Sequence, residues 1–491
     1  MADSRVSVIR GGLVVDVGRS AAEIGHVVIA EGRIREVVRG APPAIEGADI
    51  VAAEGYAIMP GLVNAHTHSQ GNLAKATEDR ISLEHLLNAG SWFNSYRTLE
   101  DMHLSALIGG AEMVRRGCTA CYDLSTELPM PSLDGMTAIA SAYAEIGMRA
   151  VLAPQLSDRT LYDVVPGLKD IPRNLPAELP AQAPRPPTPE ILAGMRRLAR
   201  DWAHGGKVEL GIAPTIPLLC SDALLAGCRE IADEYGLKVH SHLAESRVWA
   251  ALGRQIYGES LVERLDRLGF LSPRFTGAHA VWISDDDMRR MGDRGAHVAH
   301  NPASNMRLGS GLAKIRRMLR AGMNVGLGTD AANCGDHLNM FEALRLGAYV
   351  SRVQDEPYSE WISAGESLRM ATEGSARLLG LERRIGAVAP GYDADLVFLD
   401  LRDVSVVPLT NLVNQIVLCA DSSIVDSVMI TGQFVLRHRT FTTIDYDAMR
   451  HRAQESWERL NAAQTARRSY FSDFNPLIAA RCRAVSRAAE P

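Results

Sequence analysis

The chain has 491 residues, 46% hydrophobic and 22% charged, which is enough to bury a large core and too apolar for a disordered or fibrous protein. Its 52 Lys and Arg against 58 Asp and Glu leave a formal net charge of -6 with no basic block, and aromatic residues make up only 5%. That balance argues against nucleic acid as a partner.

In chain order, residues 1–58 read as short strands broken by Gly: "VSVIRGGLVVDV", "HVVIAEGRIREVV" and "GYAIM" are rich in Val and Ile. The beginning of the chain carries no apolar run long enough for a signal peptide, and no charge-free stretch is long enough for a membrane span. The expectation is a cytoplasmic protein with no membrane partner. Residues 59–382 have a different rhythm. Strand-like pieces ("GLVNAHTH", "ACYDLS", "RAVLAPQL", "VELGIAP", "KVHSHLAE", "FTGAHAVW", "HVAHNPAS", "NVGLGTDA") alternate with helical ones such as "EDMHLSALIGGAEMVRRG" and "SDALLAGCREIADEYG". Several of these helices end in Gly, as a left-handed C-cap requires. Eight strand pieces with intervening helices suit a closed parallel barrel better than an open sheet.

Residues 166–190 hold eight prolines and interrupt the alternation, so they read as a surface excursion, either a lid or a linker. Residues 383–440 return to β character with "DADLVFLDL" and "IVDSVMITGQFVLRHRTFTTID". They can pair with residues 1–58, leaving the middle as an insertion. The expected fold is α/β: a (β/α)8 TIM-type barrel with a small β-sandwich domain built from both chain ends. Residues 441–491 form a charged helical tail in which Trp457 and Leu460 are available for packing, and broad helical faces make a homo-oligomer plausible. The seven cysteines follow no secreted framework. Cys118 and Cys121 form a CxxC without a second ligand pair and read as small buried side chains.

Chemistry concentrates at strand ends. In "MPGLVNAHTHSQGN", His66 and His68 are two residues apart and project from one face of a strand. Alone, this HxH fits either ligation or two hydrogen-bonded imidazoles. The geometry recurs in "VHSHLAES", where either His240 or His242 offers a third ligand. There Glu245 lies three residues beyond His242, within reach of a metal's water. His279 in "GAHAVW" and Asp330 in "GLGTDA" also follow apolar strands. Catalytic groups gather at such C-terminal ends in a barrel. Ligand-type residues at four of them point to a metal with an exchangeable water, since a closed structural site would draw on clustered cysteines.

These motifs, with "GIAPTIPLLCSDALL", "AHNPASNMRLGSG", "IGAVAPGYDADLVFLDL" and "VDSVMITGQFVL", resemble the amidohydrolase superfamily over residues 5 to about 440. The resemblance is to the aminohydrolase branch of guanine, methylthioadenosine and adenosylhomocysteine deaminases and triazine hydrolases. It implies metal ligands His66, His68, His242 and Asp330, with His240 a neighbour. It also implies Glu245 as proton shuttle, His279 in contact with the attacked centre, and Asp330 as a catalytic proton acceptor. No strand piece before "KVHSHLAES" ends in the lysine that bridges two ions in bimetallic relatives, so the expectation is one divalent ion per chain, Zn2+ or Fe2+. The implied activity is hydrolytic deamination of a small-molecule heterocycle (purine, pterin, pyrimidine or aminotriazine) with release of ammonia. The alternative is the same centre hydrolysing a C-N(alkyl) or C-Cl bond of a triazine, or a cyclic amide.

For the pocket walls, Gln70, Trp92 with Phe93, Asn301, Ser304 and Asn305 are candidate substrate contacts. After Asp330, "GTDAANCGDHLNMF" departs from the pattern of the relatives by placing Cys334 and His337 in the loop. His337 is a further candidate for reading a polar substituent.

Overall fold

The computed structural model describes residues 6–169, 185–335 and 337–488. Most of the proline-rich excursion, residues 170–184, lies outside the described residues. Eight parallel strands run consecutively around the barrel: β1 (Leu62–Thr67), β2 (Cys118–Ser125), β3 (Arg149–Leu156), β4 (Val208–Pro214), β5 (Lys238–Leu243), β6 (Phe275–His279), β7 (His297–His300) and β8 (Asn324–Leu327). The ring closes where Asp330 N donates to His66 O at 2.9 Å and Asn64 Nδ2 donates to Thr329 Oγ1 at 2.7 Å. Every residue of β1 and β2 is buried, because these strands face side chains inside the barrel and helices outside.

The surrounding helices begin on side-chain caps written in the sequence. Thr98 and Asp101 form a capping box before Leu99–Arg115, and Ser284 and Asp287 do so before Asp285–Asp293. Leu133–Ile146 and Asp222–Tyr235 end on Gly147 and Gly236 in the left-handed conformation, as expected.

The chain ends meet in one nine-stranded mixed sheet. Its junction is the antiparallel pair of Tyr56–Pro60 with Leu396–Asp400, which joins the N-terminal strands to those at 425–441. This unit buries its own core of Ile9, Val27, Ile34, Ile58, Leu396 and Phe398. Arg149, at the start of β3, locks the barrel to it: Nε lies 2.7 Å from Asp395 Oδ2 and Nη2 lies 2.9 Å from Asp393 Oδ2, all buried.

The tail forms two helices, Tyr446–Ser472 and Asn475–Ala488. They lie against the helices Leu83–Phe93, Leu99–Arg115 and Arg247–Tyr257. Leu460 packs on Leu73, and Trp457 packs half-buried on the main core. Among the described residues, no helix is long and apolar enough to cross a membrane.

Candidate metal centre

The side chains at the C-terminal ends of β1, β5, β6 and β8 converge on one buried point. His68 Nε2 lies 3.2 Å from Asp330 Oδ1 and 3.2 Å from His242 Nε2, and His66 Nε2 lies 3.5 Å from Asp330 Oδ1. His279 Nε2 is 3.8 Å from Asp330 Oδ2 and 3.6 Å from Glu245 Oε2. Among the described residues, three groups bring their ligand atoms within 4.8 Å of one another: His66, His68 and Asp330; His66, His242 and His279; Glu245, His279 and Asp330.

Local backbone and hydrogen bonds aim these groups. His68 Nδ1 lies 2.6 Å from Leu124 O and His242 Nδ1 lies 2.6 Å from Thr215 O. Donating Nδ1–H to a carbonyl leaves each Nε2 with a lone pair. Burial opposes protonation of His68, but Asp330, also 3.2 Å from its Nε2, outweighs it and raises its pKa, and a divalent cation among these three groups takes the place of the proton they share. His66, fully buried, has no hydrogen-bond partner for either ring nitrogen. A buried imidazole without a partner is costly, and ligation gives it one. The residues therefore fit a divalent ion.

Backbone strain marks the same places. Ala244, His279, Ala280 and Asp330 have φ of 43°, 68°, 49° and 63°, left-handed values that cost a non-glycine residue about 1–3 kcal/mol.

The protonation states follow from burial and charge. Burial pushes His66 down to about 3 and holds His242 well below the ordinary imidazole range, so both rings are neutral, as ligation requires. Burial opposes the ionised form of Asp330, but His66 and His68 outweigh it and hold the carboxyl well below its usual range. Glu245 goes the other way: burial, then the charges of Asp330 and Glu84, push its carboxyl well above normal. Two carboxyl groups in one pocket with opposite shifts are the arrangement expected of a proton acceptor and a proton donor.

His240 sits deeper in the barrel, its ring 4.9 Å from that of His66 and 4.5 Å from Tyr122. Asn305 and Asn301 close on His279: Nδ1 lies 2.8 Å from Asn305 Oδ1, and Asn301 Nδ2 lies 3.3 Å from the same nitrogen. Gln70 is on the turn Ser69–Gly71, where its side chain bonds Thr126 and ties the β1 loop to β2. Trp92 is buried near the end of Leu83–Phe93 against Phe93, with the Arg468 guanidinium 5.5 Å from its ring. His337 stands apart, half-buried, 3.0 Å from Glu342 Oε2. The hydrogen bond and charge of Glu342 raise its pKa.

Three residues gain roles that sequence reading did not assign. Ser304 donates to Asp330 Oδ2 at 2.5 Å, fixing the carboxylate. Gln155 Nε2 donates to Leu124 O at 2.8 Å, supporting the carbonyl that orients His68. Ser310 Oγ lies 3.5 Å from Glu245 Oε1. Gln155 was findable, since it is a polar residue at the end of an apolar strand, as His68 and His279 are. Ser310 carried no such signal.

Comparison with known proteins matches residues 57–435 to the amidohydrolase family. The chain is 32% identical over 444 residues to a 5-methylthioadenosine/S-adenosylhomocysteine deaminase of Desulforudis audaxviator, covering 89% of this chain and 95% of the relative. Among solved structures, an adenosine deaminase from Xanthomonas campestris with bound zinc superposes with a TM-score of 0.80 at 27% identity, covering 93% of this chain and 98% of that one. A zinc complex of the atrazine chlorohydrolase of Arthrobacter aurescens shares the fold, with a TM-score of 0.81 at 24% identity, covering 92% and 99%.

Proposed function

This chain belongs to the amidohydrolase family, and from that premise we propose that it is a metal-dependent hydrolase that deaminates an aromatic N-heterocycle, a 6-aminopurine nucleoside before other rings. The observation that carries the reading is the convergence of His66, His68, His242 and Asp330 on one buried point, with His279 and Glu245 directly beside it. The names of the relatives support the purine ring: one is a 5-methylthioadenosine/S-adenosylhomocysteine deaminase, the other an adenosine deaminase.

His66, His68, His242 and Asp330 would hold one divalent ion, zinc before iron, a choice supported by the zinc in both structural neighbours. When bound, the ion lowers the pKa of a water toward neutrality. The protein's own groups handle the protons. Asp330 takes the proton that the attacking water gives up, while Ser304 keeps the carboxylate oriented. Glu245 delivers its proton to the ring nitrogen beside the attacked carbon, is recharged with the proton that Asp330 took, passes that one to the departing amine, and is restored by the hydroxyl proton of the adduct. His279 is held by Asn305 with Nδ1–H as donor, which leaves its Nε2 as an acceptor that orients the proton of the attacking water. The balance is one water added and one ammonia released at a C-NH2 carbon.

The barrel with its two-ended sheet domain is proposed as the working unit, with boundaries at 59–382, 1–58 and 383–440. A cytoplasmic setting is supported by seven free thiols, six of them buried. Self-association is supported by exposed Tyr349, Val353, Tyr358 and Trp361.

The test is turnover of adenosine, 5'-deoxyadenosine, guanine, a pterin and aminotriazines by metal-replete enzyme, with product mass and ammonia recorded together. A gain of about one mass unit with stoichiometric ammonia is expected. Release of an alkylamine or chloride, or addition of water with the nitrogen retained, overturns the assignment. Glu245→Gln is expected to keep its metal and lose about 100-fold or more in kcat.

A further inference from the structure

The helix Arg247–Tyr257 starts irregularly. Ser246 occupies its N-cap with extended backbone, where a serine hydroxyl ordinarily accepts from a first-turn amide. Its side chain makes no such bond. Instead Ser246 Oγ donates to Glu84 Oε1 at 2.8 Å. Both residues are buried, at 8% and 6% exposure, and 162 positions separate them in the chain. Glu84 lies in the first turn of Leu83–Phe93, in the connection that leaves β1, and Ser246 directly follows Glu245. The bond therefore joins the segments that leave the two strands carrying His66, His68 and His242, at the residue next to the proposed proton shuttle.

The C-terminal helices hold both partners of this bond. Asn88 Nδ2 donates to Phe471 O at 2.8 Å and Asn475 Oδ1 at 3.0 Å, and His85 Nε2 lies 3.1 Å from Asn475 O. Gln464 Nε2 donates to Phe93 O at 3.1 Å and Ser95 O at 2.9 Å. Asn88 and Gln464 are themselves buried. The helix Asn475–Ala488 packs on both Leu83–Phe93 and Arg247–Tyr257 and buries Ile478, Cys482 and Val485 there. Residues 446–488 thus bridge two active-site segments from outside the stretch matched to the family.

We propose that Glu84 and Ser246 are positioning residues for Glu245, kept in register by the C-terminal helical pair, so that the tail acts on proton transfer and not only on stability. This rests on the reading of Glu245 as proton shuttle. A cap serine diverted from its own helix to a buried carboxylate gives up local stability for a fixed placement of the preceding residue. A displacement of about 1 Å at a reacting group costs on the order of 100-fold in rate.

The test compares metal-replete wild type with Glu84→Ala, Ser246→Ala, the double variant, and Ser246→Thr as the conservative control. Turnover is followed with 5'-deoxyadenosine, or with whichever ring of the panel wild type deaminates, and amide hydrogen exchange of residues 83–98 and 246–257 is measured without substrate. The expected result is a kcat loss of roughly 10- to 100-fold in each single alanine variant with KM within about twofold and full metal content. The double variant should be no worse than the singles, threonine should restore most of the rate, and exchange should quicken in both helices when either residue is changed. A kcat within about threefold of wild type in Ser246→Ala, losses that multiply in the double variant, or faster exchange confined to the mutated helix overturns the inference. If wild type deaminates none of the rings, the deaminase reading fails, and the exchange pattern decides the coupling by itself.

Discussion

Gly328→Ala tests how tightly the last barrel strand is fitted to the metal site. Gly328 follows β8 and stands two residues before Asp330. Its amide donates to His300 O at 2.9 Å, continuing the barrel ladder. A Cβ built there would lie 2.3 Å from Asn301 Oδ1, 2.9 Å from His66 N and 3.0 Å from His66 Cβ. The Asn301 amide is the end of a side chain but is fully buried beside His279, and the His66 contact is backbone, so neither neighbour can swing clear. Relief requires β1 and β8 to part by several tenths of an ångström. Overpacking of this kind costs about 1–3 kcal/mol. The displaced groups are His66 and Asp330, so that strain should appear as weakened metal binding, roughly 5- to 150-fold at 1.4 kcal/mol per decade. Zinc affinity by chelator competition, with melting of loaded and stripped protein, measures it. Gly90→Ala is the control, since a Cβ there meets nothing within 4 Å. A Gly328→Ala protein with unchanged melting and zinc affinity within about twofold of wild type would refute the claim that this contact sets the site.

Three further outcomes follow from contacts described above. Arg149→Met leaves Asp395 buried without a guanidinium, while Asp393 keeps Arg384 and Arg33, and should destabilise the chain by about 3 kcal/mol in equilibrium denaturation; a loss under about 1 kcal/mol would mean that Asp395 repartners freely. Asn305→Ala should lower turnover by about 10- to 100-fold with metal retained, because His279 loses the acceptor that selects its tautomer; unchanged kcat would remove that role. For His337, the Glu342 hydrogen bond raises the folded pKa, so its contribution to stability is complete below the unfolded value and is lost as pH rises through the folded one. NMR titration should show the raised value in wild type and its return toward 6.5 in Glu342→Gln, and an unmoved His337 would exclude the pair as the cause.

Local patterns determined a large part of this protein. The alternation of buried strands and capped helices is a property of short windows, and so is the spacing that sets His66 and His68 on one face. Strand ends carrying His242, His279 and Asp330 were legible for the same reason, because a polar residue closing an apolar run stands out in sequence. Other features were decided only by tertiary structure. His240 and His242 share a face of β5 and look equivalent in sequence, but a two-residue step is about 6.6 Å along a strand. That depth puts His242 Nε2 opposite His68 and leaves His240 beneath, against Tyr122. The bond that Ser304 makes to Asp330 has no sign in the sequence and comes only with the fold. Ser246 reads as a helix cap, and its bond to Glu84 depends on two helices from distant parts of the chain both docking on a tail whose charged sequence names no partner. Periodicity and capping act over a few residues, whereas these contacts exist only once barrel closure and helix docking have fixed the distance between segments 26, 162 and 174 residues apart.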